Sequence, residues 1–128
     1  MIVVLDAAAV VDVLLDNDRG RGARKHLEGA QLFSVVHLDA EVFSALARLH
    51  RDEQLTAEAV SARLALLADL DVARLPISAP LLSAAWALRD DIAARDALYV
   101  AAAQILSGKL LTTDVRLARA SLDIAIAL

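Results

Sequence analysis

The chain has 128 residues, a formal net charge of −4 and no cysteine, and 59% of its residues are hydrophobic. A chain of this length usually folds around one core, so residues 1–128 are expected to form a single domain. The lack of cysteine excludes disulfides and thiolate metal sites, and the acidic balance argues against nucleic-acid binding through a broad basic surface.

The hydrophobic content is high, with a mean hydropathy of +0.56, yet only 3% of the residues are aromatic. No apolar run reaches the ~18 residues of a membrane helix, because Asp6 and Asp12 interrupt the first run and Gln104 and Lys109 the last. The start of the chain also lacks a signal-like basic segment, so we expect a cytoplasmic protein. Its surplus apolar surface predicts a partner subunit.

The first elements follow from apolar runs and glycine positions. Residues 2–5 are continuously apolar and mostly β-branched, which is typical of a buried strand. A helix is predicted over residues 8–15. Gly20 and Gly22 indicate a break in regular structure, and a short basic helix is predicted over residues 21–27.

The middle of the chain repeats the alternation of strand and helix. Residues 31–35 fit a second strand, and the helical spacing of apolar side chains predicts an amphipathic helix over residues 38–51. Thr56 is a suitable N-cap for a helix over residues 57–69. Residues 72–75 then fit a third strand.

The last third adds two longer helices and three short elements. Ser78 and Pro80 open a helix that runs to about residue 89. Further elements are predicted as a helix over 94–106, a strand over 110–112, a helical turn over 115–118 and a strand over 123–127. Strands that alternate with helices predict the α/β class, with a mostly parallel sheet of four or five strands and helices on both faces.

Four acids stand where such a fold places a ligand site. Asp6 and Asp114 each follow an apolar strand, at the edge where open α/β sheets bind ligands. Glu41 and Asp96 interrupt otherwise apolar helix starts. Were all four to converge, each like-charge pair at ~4 Å would cost about 4 kcal/mol, so a cation would have to lie among them. Oxygen ligands favour Mg²⁺ or Mn²⁺, which promote phosphodiester hydrolysis.

Each acid also has an ordinary structural explanation. Asp6 and Asp114 are equally suited to cap helices, and Glu41 is suited to interact with a helix dipole. Asp96 could pair with Arg95 or Arg89 and have no further role. Only the joint placement of the acids favours a catalytic site.

Four segments in order resemble the PIN domain, and more narrowly the VapC-type ribonuclease toxins of type II toxin–antitoxin pairs. They are VLDAAAVV at residues 4–11, LDAEVFSAL at 38–46, RDALYVAAA at 95–103 and LTTDVRLA at 111–118. The likeness covers nearly the whole chain. One departure is Ala8, which stands where the family often carries a serine or threonine.

The resemblance implies a PIN-like nuclease domain over residues 1–128 that cleaves RNA with Mg²⁺ or Mn²⁺. It also implies an antitoxin partner and a homodimer. Carried over by position, the metal-binding and catalytic acids are Asp6, Glu41, Asp96 and Asp114. Thr113 would be a supporting hydroxyl, and Arg95 and Arg116 are candidates for substrate binding.

Other functions remain open at this point. A PIN nuclease could process RNA outside a toxin pair, and a degenerate PIN fold could only bind. A phospho-accepting signalling domain expects adjacent acids after the first strand, where this chain has Ala7 and Ala8. Such a domain also expects a lysine at the end of the last core strand, where this chain has Asp114.

The sequence pattern also suggests roles for several other residues. The basic cluster Arg19 to Lys25 is suited either to RNA or to solvent. Trp86 is expected in the core, although Leu82 and Trp86 could also serve a partner groove. Asp12 is assigned to the surface, together with Asp90 and Asp91.

Overall fold

Four short parallel strands form the central sheet of the computed structural model, which describes residues 1–128. The strands are β1 (Ile2–Leu5), β2 (Gln31–Val35), β3 (Ala73–Leu75) and β4 (Lys109–Leu111). They lie in the order β3-β2-β1-β4, and every neighbouring pair is parallel. The prediction of a mostly parallel α/β sheet is confirmed, with four strands.

Seven helices surround this sheet. They are α1 (Ala7–Leu15), α2 (Asp18–Arg24), α3 (Leu38–Arg51), α4 (Ala57–Asp69), α5 (Ala79–Ala87), α6 (Ala94–Ile105) and α7 (Val115–Ala120). Helices α1, α3 and α4 pack together, whereas α6 packs on α5 and on three of the strands. The small side chains of Ala101, Ala102 and Ala103 are fully buried, which lets α6 lie close to the sheet.

Two predicted elements differ from the observed ones. Helix α2 begins at Asp18 rather than residue 21, because the Asn17 side chain caps it by accepting from the Gly20 N–H at 2.8 Å. Gly20 lies inside the helix and not at a break. A Cβ at this position would collide with the backbone of Asp12, so a glycine is needed for α2 to pack this closely against α1. The strand predicted over 123–127 is reduced to a single parallel bridge between Leu110 and Ala125.

Arg74 on β3 joins three elements through one guanidinium group. Its Nε and Nη2 donate to the two carboxylate oxygens of Asp39, at 3.2 and 2.8 Å. Its Nη1 donates to the carbonyls of Leu70 and Val72, and Nη2 also reaches the Leu67 carbonyl at 3.3 Å. Arg74 therefore binds the end of α4 and the first turn of α3 to the edge of the sheet.

The outer face of α5 is apolar and exposed. Leu81 is buried, but Leu82 is 52% exposed and Trp86 is 68% exposed. The prediction that Trp86 packs in the core is therefore wrong; its ring lies at the surface, 5.0 Å from the guanidinium carbon of Arg89. None of the helices has both the length and the apolar character needed to cross a membrane.

Candidate active site

Asp6 is a buried carboxylate at the end of β1. Its Oδ1 accepts the Ala9 N–H at 2.9 Å and so caps α1, as the structural interpretation predicted. The parallel register pairs Leu5 with Leu111, which brings Thr112 alongside Asp6. The Thr112 hydroxyl donates to Oδ2 of Asp6. Both carboxylate oxygens are thus held in place, and the residue is only 4% exposed.

The surroundings of Asp6 favour its protonated form. Burial raises its pKa to about 7, and the hydrogen bonds from Thr112 and Ala9 oppose that rise. The negative charges of Asp96 and Asp114 raise the pKa further. Asp6 therefore lies near the other acids, in a place where an ionised carboxylate lacks a compensating positive charge.

Asp114 follows β4 and caps the next helix. Its Oδ1 accepts from the backbone N–H groups of Arg116 at 3.0 Å and Leu117 at 3.4 Å, which begins α7. The Asp114 N–H in turn donates to the Thr112 hydroxyl at 3.0 Å. Thr112 therefore links the two acids at neighbouring strand ends. The capping interpretation is correct for Asp114 as well, and Asp114 also faces the cavity described below.

Glu41 projects from the first turn of α3 and is held by two aromatic residues. The Tyr99 hydroxyl donates to its Oε1 at 3.0 Å, and His37 Nε2 lies 3.1 Å from the same oxygen. The rings of His37 and Tyr99 pack at 5.3 Å between centroids. Burial raises the pKa of Tyr99, and the charge of Glu41 adds to the rise, so its hydroxyl remains a donor.

Asp96 lies in the first turn of α6. Partial burial raises its pKa, and the positive charge of Arg95 opposes the rise. The charges of Asp114 and Glu41 raise the pKa again, while Arg116 lowers it. Asp96 therefore interacts electrostatically with all three of the other acids and with two arginines.

One cavity of about 670 Å³ collects these side chains. It is lined by all seven residues that the sequence singled out, namely Asp6, Glu41, Asp96, Asp114, Thr113, Arg95 and Arg116. Asp12, which was assigned to the surface, lines it too. These residues come from four separate parts of the chain, so only the folded topology brings them together. Below, this space is called the acid cavity.

The acids line the cavity without forming a closed cage of ligands. No three His, Asp or Glu side chains are grouped tightly enough to hold a metal ion. Mg²⁺ usually keeps several waters and takes only one or two carboxylates directly, so it does not require such a cage. The oxygen-only donors and the uncompensated burial of Asp6 suit a hard divalent cation.

Arginines also line the acid cavity. Arg19 and Arg48 stand beside the predicted Arg95 and Arg116, and all four are exposed. None of the four forms an ion pair with an acid of the chain, in contrast to Arg21, Arg24 and Arg74. Their positive charge therefore remains available for an anion.

Sequence reasoning missed Thr112, Tyr99 and Arg48. Thr112 could have been found from strand pairing, since it stands one place beyond the β4 residue that pairs with Leu5. Arg48 lies seven residues after Glu41 and therefore on the same face of α3. Tyr99 carried no comparable signal, because a buried tyrosine in an apolar helix usually belongs to the core.

Comparisons with known proteins find a matching family model and similar sequences. The family model described as the PIN domain matches residues 3–122. Ribonuclease VapC3 of Mycobacterium tuberculosis is 44% identical over 92% of this chain and 86% of that protein. Ribonuclease VapC1 of the same species is 40% identical over 91% of this chain and 89% of that protein.

A solved structure shows the same fold at much lower identity. It is the crystal structure of VapBC2 from Rickettsia felis bound to a DNA fragment from their promoter. The superposition has a TM-score of 0.71 at 15% identity and covers 99% of this chain and 98% of that chain.

Proposed function

Because the chain belongs to the PIN-domain family, with VapC ribonucleases among its relatives, we propose that it is a metal-dependent endoribonuclease acting as the toxin of a toxin–antitoxin pair. The observation that carries this proposal is the meeting of four acids from separate segments at one cavity. The ribonuclease names of relatives at 44% and 40% identity support RNA as the substrate. Such a toxin would act in the cytoplasm.

The carboxylates of the acid cavity would hold Mg²⁺ or Mn²⁺. The proposed ligands are Asp6, Glu41, Asp96 and Asp114. A bound divalent ion lowers the pKa of a bound water and offsets charge that develops on a phosphoryl group. Capping and hydroxyl contacts fix Asp6, and Tyr99 orients Glu41, so the chain itself positions the donors before an ion arrives.

Neighbouring residues would bind and orient the RNA backbone. Arg95 and Arg116 stand beside Asp96, where each guanidinium can donate two parallel hydrogen bonds to a phosphate. The Thr113 side chain lines the same cavity and is available to a carboxylate or a water. The positive groups balance the acids locally, so an acidic protein can hold a polyanion at this place.

A protein partner would cover apolar surface that the fold leaves exposed. The best candidate for a homodimer contact is the outer face of α5, where Leu82 and Trp86 are more than half exposed. Likeness to VapBC2 and to VapC ribonucleases supports an antitoxin as a second partner. Light scattering on the wild type and on Trp86→Ser would test the dimer, which should dissociate in the variant.

Cleavage of total RNA with Mg²⁺ tests the proposal directly. The wild type should cut RNA and EDTA should stop it, and Asp96→Asn should lower the rate by at least about a hundredfold. Asp90→Asn is the matched control, because Asp90 is exposed and does not line the acid cavity. Equal cleavage by Asp96→Asn, or cleavage that persists in EDTA, would contradict the site. Expression that leaves growth unchanged would favour an RNA-processing role over a toxin.

A further inference from the structure

A second hollow opens beside the acid cavity. Its volume is about 610 Å³, and mostly aliphatic groups of α7 and the C-terminal segment line it. The main ones are Val115, Ala118, Leu122, Ile126 and Leu128. We call it the apolar hollow. The proposed cleavage chemistry uses none of these side chains.

The apolar hollow is continuous with the acid cavity. Arg19, Thr113, Asp114 and Val115 line both spaces. The two hollows together form one groove, with the acids at one end and the aliphatic wall at the other. A ligand longer than the acid cavity can therefore extend directly into the apolar hollow.

Two guanidinium groups stand over the aliphatic wall. Arg19 and Arg119 line the apolar hollow, both are exposed, and neither forms an ion pair. The nearby acid Asp18 is already paired with Arg21. The hollow therefore offers a hydrophobic surface with free positive charge beside it, which suits a ligand that is flat and apolar on one side and anionic on the other.

From this juxtaposition we propose that the apolar hollow is the subsite for the nucleotide next to the cleaved RNA linkage. The unstacked base lies against Ala118 and Leu122, and its phosphate contacts Arg19 and Arg119. Proteins that read single-stranded RNA commonly bind bases splayed out of the stack, and arginine guanidinium groups are among the side chains that such bases contact. The inference rests on the proposed function, because the strand reaches the hollow by way of the acid cavity.

A smaller space on the other side of the acid cavity would receive the other end of the strand. A third hollow of about 320 Å³ shares Arg95, Asp96, Asp114 and Arg116 with the acid cavity. It lies on a different face of α7, lined by Leu117 rather than Ala118. The acids thus lie between two exits, each with unpaired arginines, and the apolar exit is the one suited to a base.

Base removal from the substrate tests the subsite. A synthetic single-stranded RNA spanning a mapped cleavage site is prepared with an abasic residue at each flanking position in turn. At one flank the abasic residue should lower kcat/KM of the wild type by about tenfold, because the apolar surface that the base buries against the hollow is lost. In Ala118→Leu, whose larger side chain occupies the place proposed for the base, the same replacement should change kcat/KM less than about twofold. In Leu122→Ala, the abasic residue should change kcat/KM by an intermediate amount. Leu122 is 77% exposed, so this substitution should not disturb the fold.

Binding without cleavage tests the phosphate contacts separately. In EDTA, the affinity of the intact RNA is measured at several salt concentrations. Arg119→Gln should weaken binding and reduce the slope of log affinity against log salt by about 0.7. Arg51→Gln is the matched control, because Arg51 is also exposed and unpaired but lines none of the three spaces.

The outcomes separate the two proposals. If the wild type cleaves RNA but abasic residues affect it and Ala118→Leu equally, the subsite is overturned and the nuclease proposal stands. The subsite is also overturned if Ala118→Leu weakens binding of a protein partner and leaves RNA affinity unchanged. If the wild type neither binds nor cleaves RNA, both proposals fall together.

Discussion

Two groups of charged residues in this molecule differ in whether their charges are paired within the chain. At Arg74 the donors are used inside the chain, on Asp39 and on three backbone carbonyls. In the acid cavity, Arg95 and Arg116 have no ion-pair partner, and Asp6 is buried without a countercharge. The Arg74 group is a closed network, whereas the acid cavity is left open.

Paired charges such as Arg74 and Asp39 stabilise the fold, whereas the unpaired charges of the acid cavity are the ones proposed to bind a ligand. A satisfied network strengthens the native state, while an uncompensated buried carboxylate weakens it. Asp39 and Asp6 make the cleanest pair for this comparison, because each carboxylate accepts two hydrogen bonds but only Asp39 faces a cation. We therefore expect substitutions at Asp6 to change mainly activity and substitutions at Arg74 to change mainly stability.

The largest expected effect is on activity at Asp6. Asp6→Asn should lower kcat for RNA cleavage by roughly a thousandfold, because a carboxylate proposed to hold the cation would be lost. Asparagine can still cap α1, so the helix should be retained. Asp39→Asn is the control, and its kcat should stay within about twofold of the wild type. Similar losses in both variants would mean that the two acids do not differ as proposed.

The next effect concerns the pH dependence of stability. Asp6 has a pKa of about 7 in the folded chain, against 3.8 for an aspartate in water, so the folded state binds its proton more tightly. The resulting stability is full below about pH 4, falls as the pH rises, and is lost above about pH 7, a change of about 4 kcal/mol in the free energy of unfolding.

Asp6→Asn should not show this loss. In EDTA, its free energy of unfolding should rise relative to the wild type by about 3 kcal/mol between about pH 5 and pH 8. Urea unfolding at the two pH values measures the difference. Mg²⁺ should stabilise the wild type at pH 8 and have a much smaller effect on the variant. A constant difference between the two proteins would show that Asp6 ionises freely in the folded chain.

The closed network should respond in stability alone. Arg74→Met keeps most of the apolar stem but leaves Asp39 and three carbonyls without their donor, so the free energy of unfolding should fall by about 2 to 3 kcal/mol. Chemical denaturation measures this loss. The Kd for Mn²⁺ should remain unchanged, since Arg74 does not line the acid cavity. Weaker Mn²⁺ binding would mean that the two groups are coupled.

Much of the fold was predictable because its signals are local. The apolar run at residues 2–5 and the helical spacing at 38–51 each became the expected element. Errors arose where tertiary contact overrides a local signal. Gly20 indicated a break, but it serves close packing against α1. Trp86 indicated core, but it lies exposed on α5.

The site was predictable as a set of acids but not as a set of contacts. Strand ends and apolar helix starts pointed to all four acids, and all four line one cavity. The residues that hold them depend on register and on helix rotation, which the sequence does not express. Thr112 reaches Asp6 only through the pairing of β1 with β4. Tyr99 reaches Glu41 across 58 residues of chain.

The smallest effect, on Mn²⁺ binding, is expected at Tyr99, which belongs both to the core and to the acid cavity. Tyr99 is 1% exposed, like a core residue, yet its hydroxyl donates to Glu41 in the acid cavity. Tyr99→Phe removes only that donor. It should weaken Mn²⁺ binding by about fivefold, which corresponds to about 1 kcal/mol.

The stability of Tyr99→Phe should stay close to that of the wild type. Removing the buried hydroxyl leaves Glu41 with His37 as its remaining partner, so the free energy of unfolding should change by less than about 1 kcal/mol. Calorimetric Mn²⁺ titration and urea unfolding on the same variant separate the two readouts. If stability falls by several kcal/mol while Mn²⁺ affinity is unchanged, Tyr99 belongs with Arg74 among the residues that hold the fold. Loss of affinity at constant stability places it with the acids, because only the orientation of Glu41 would have changed.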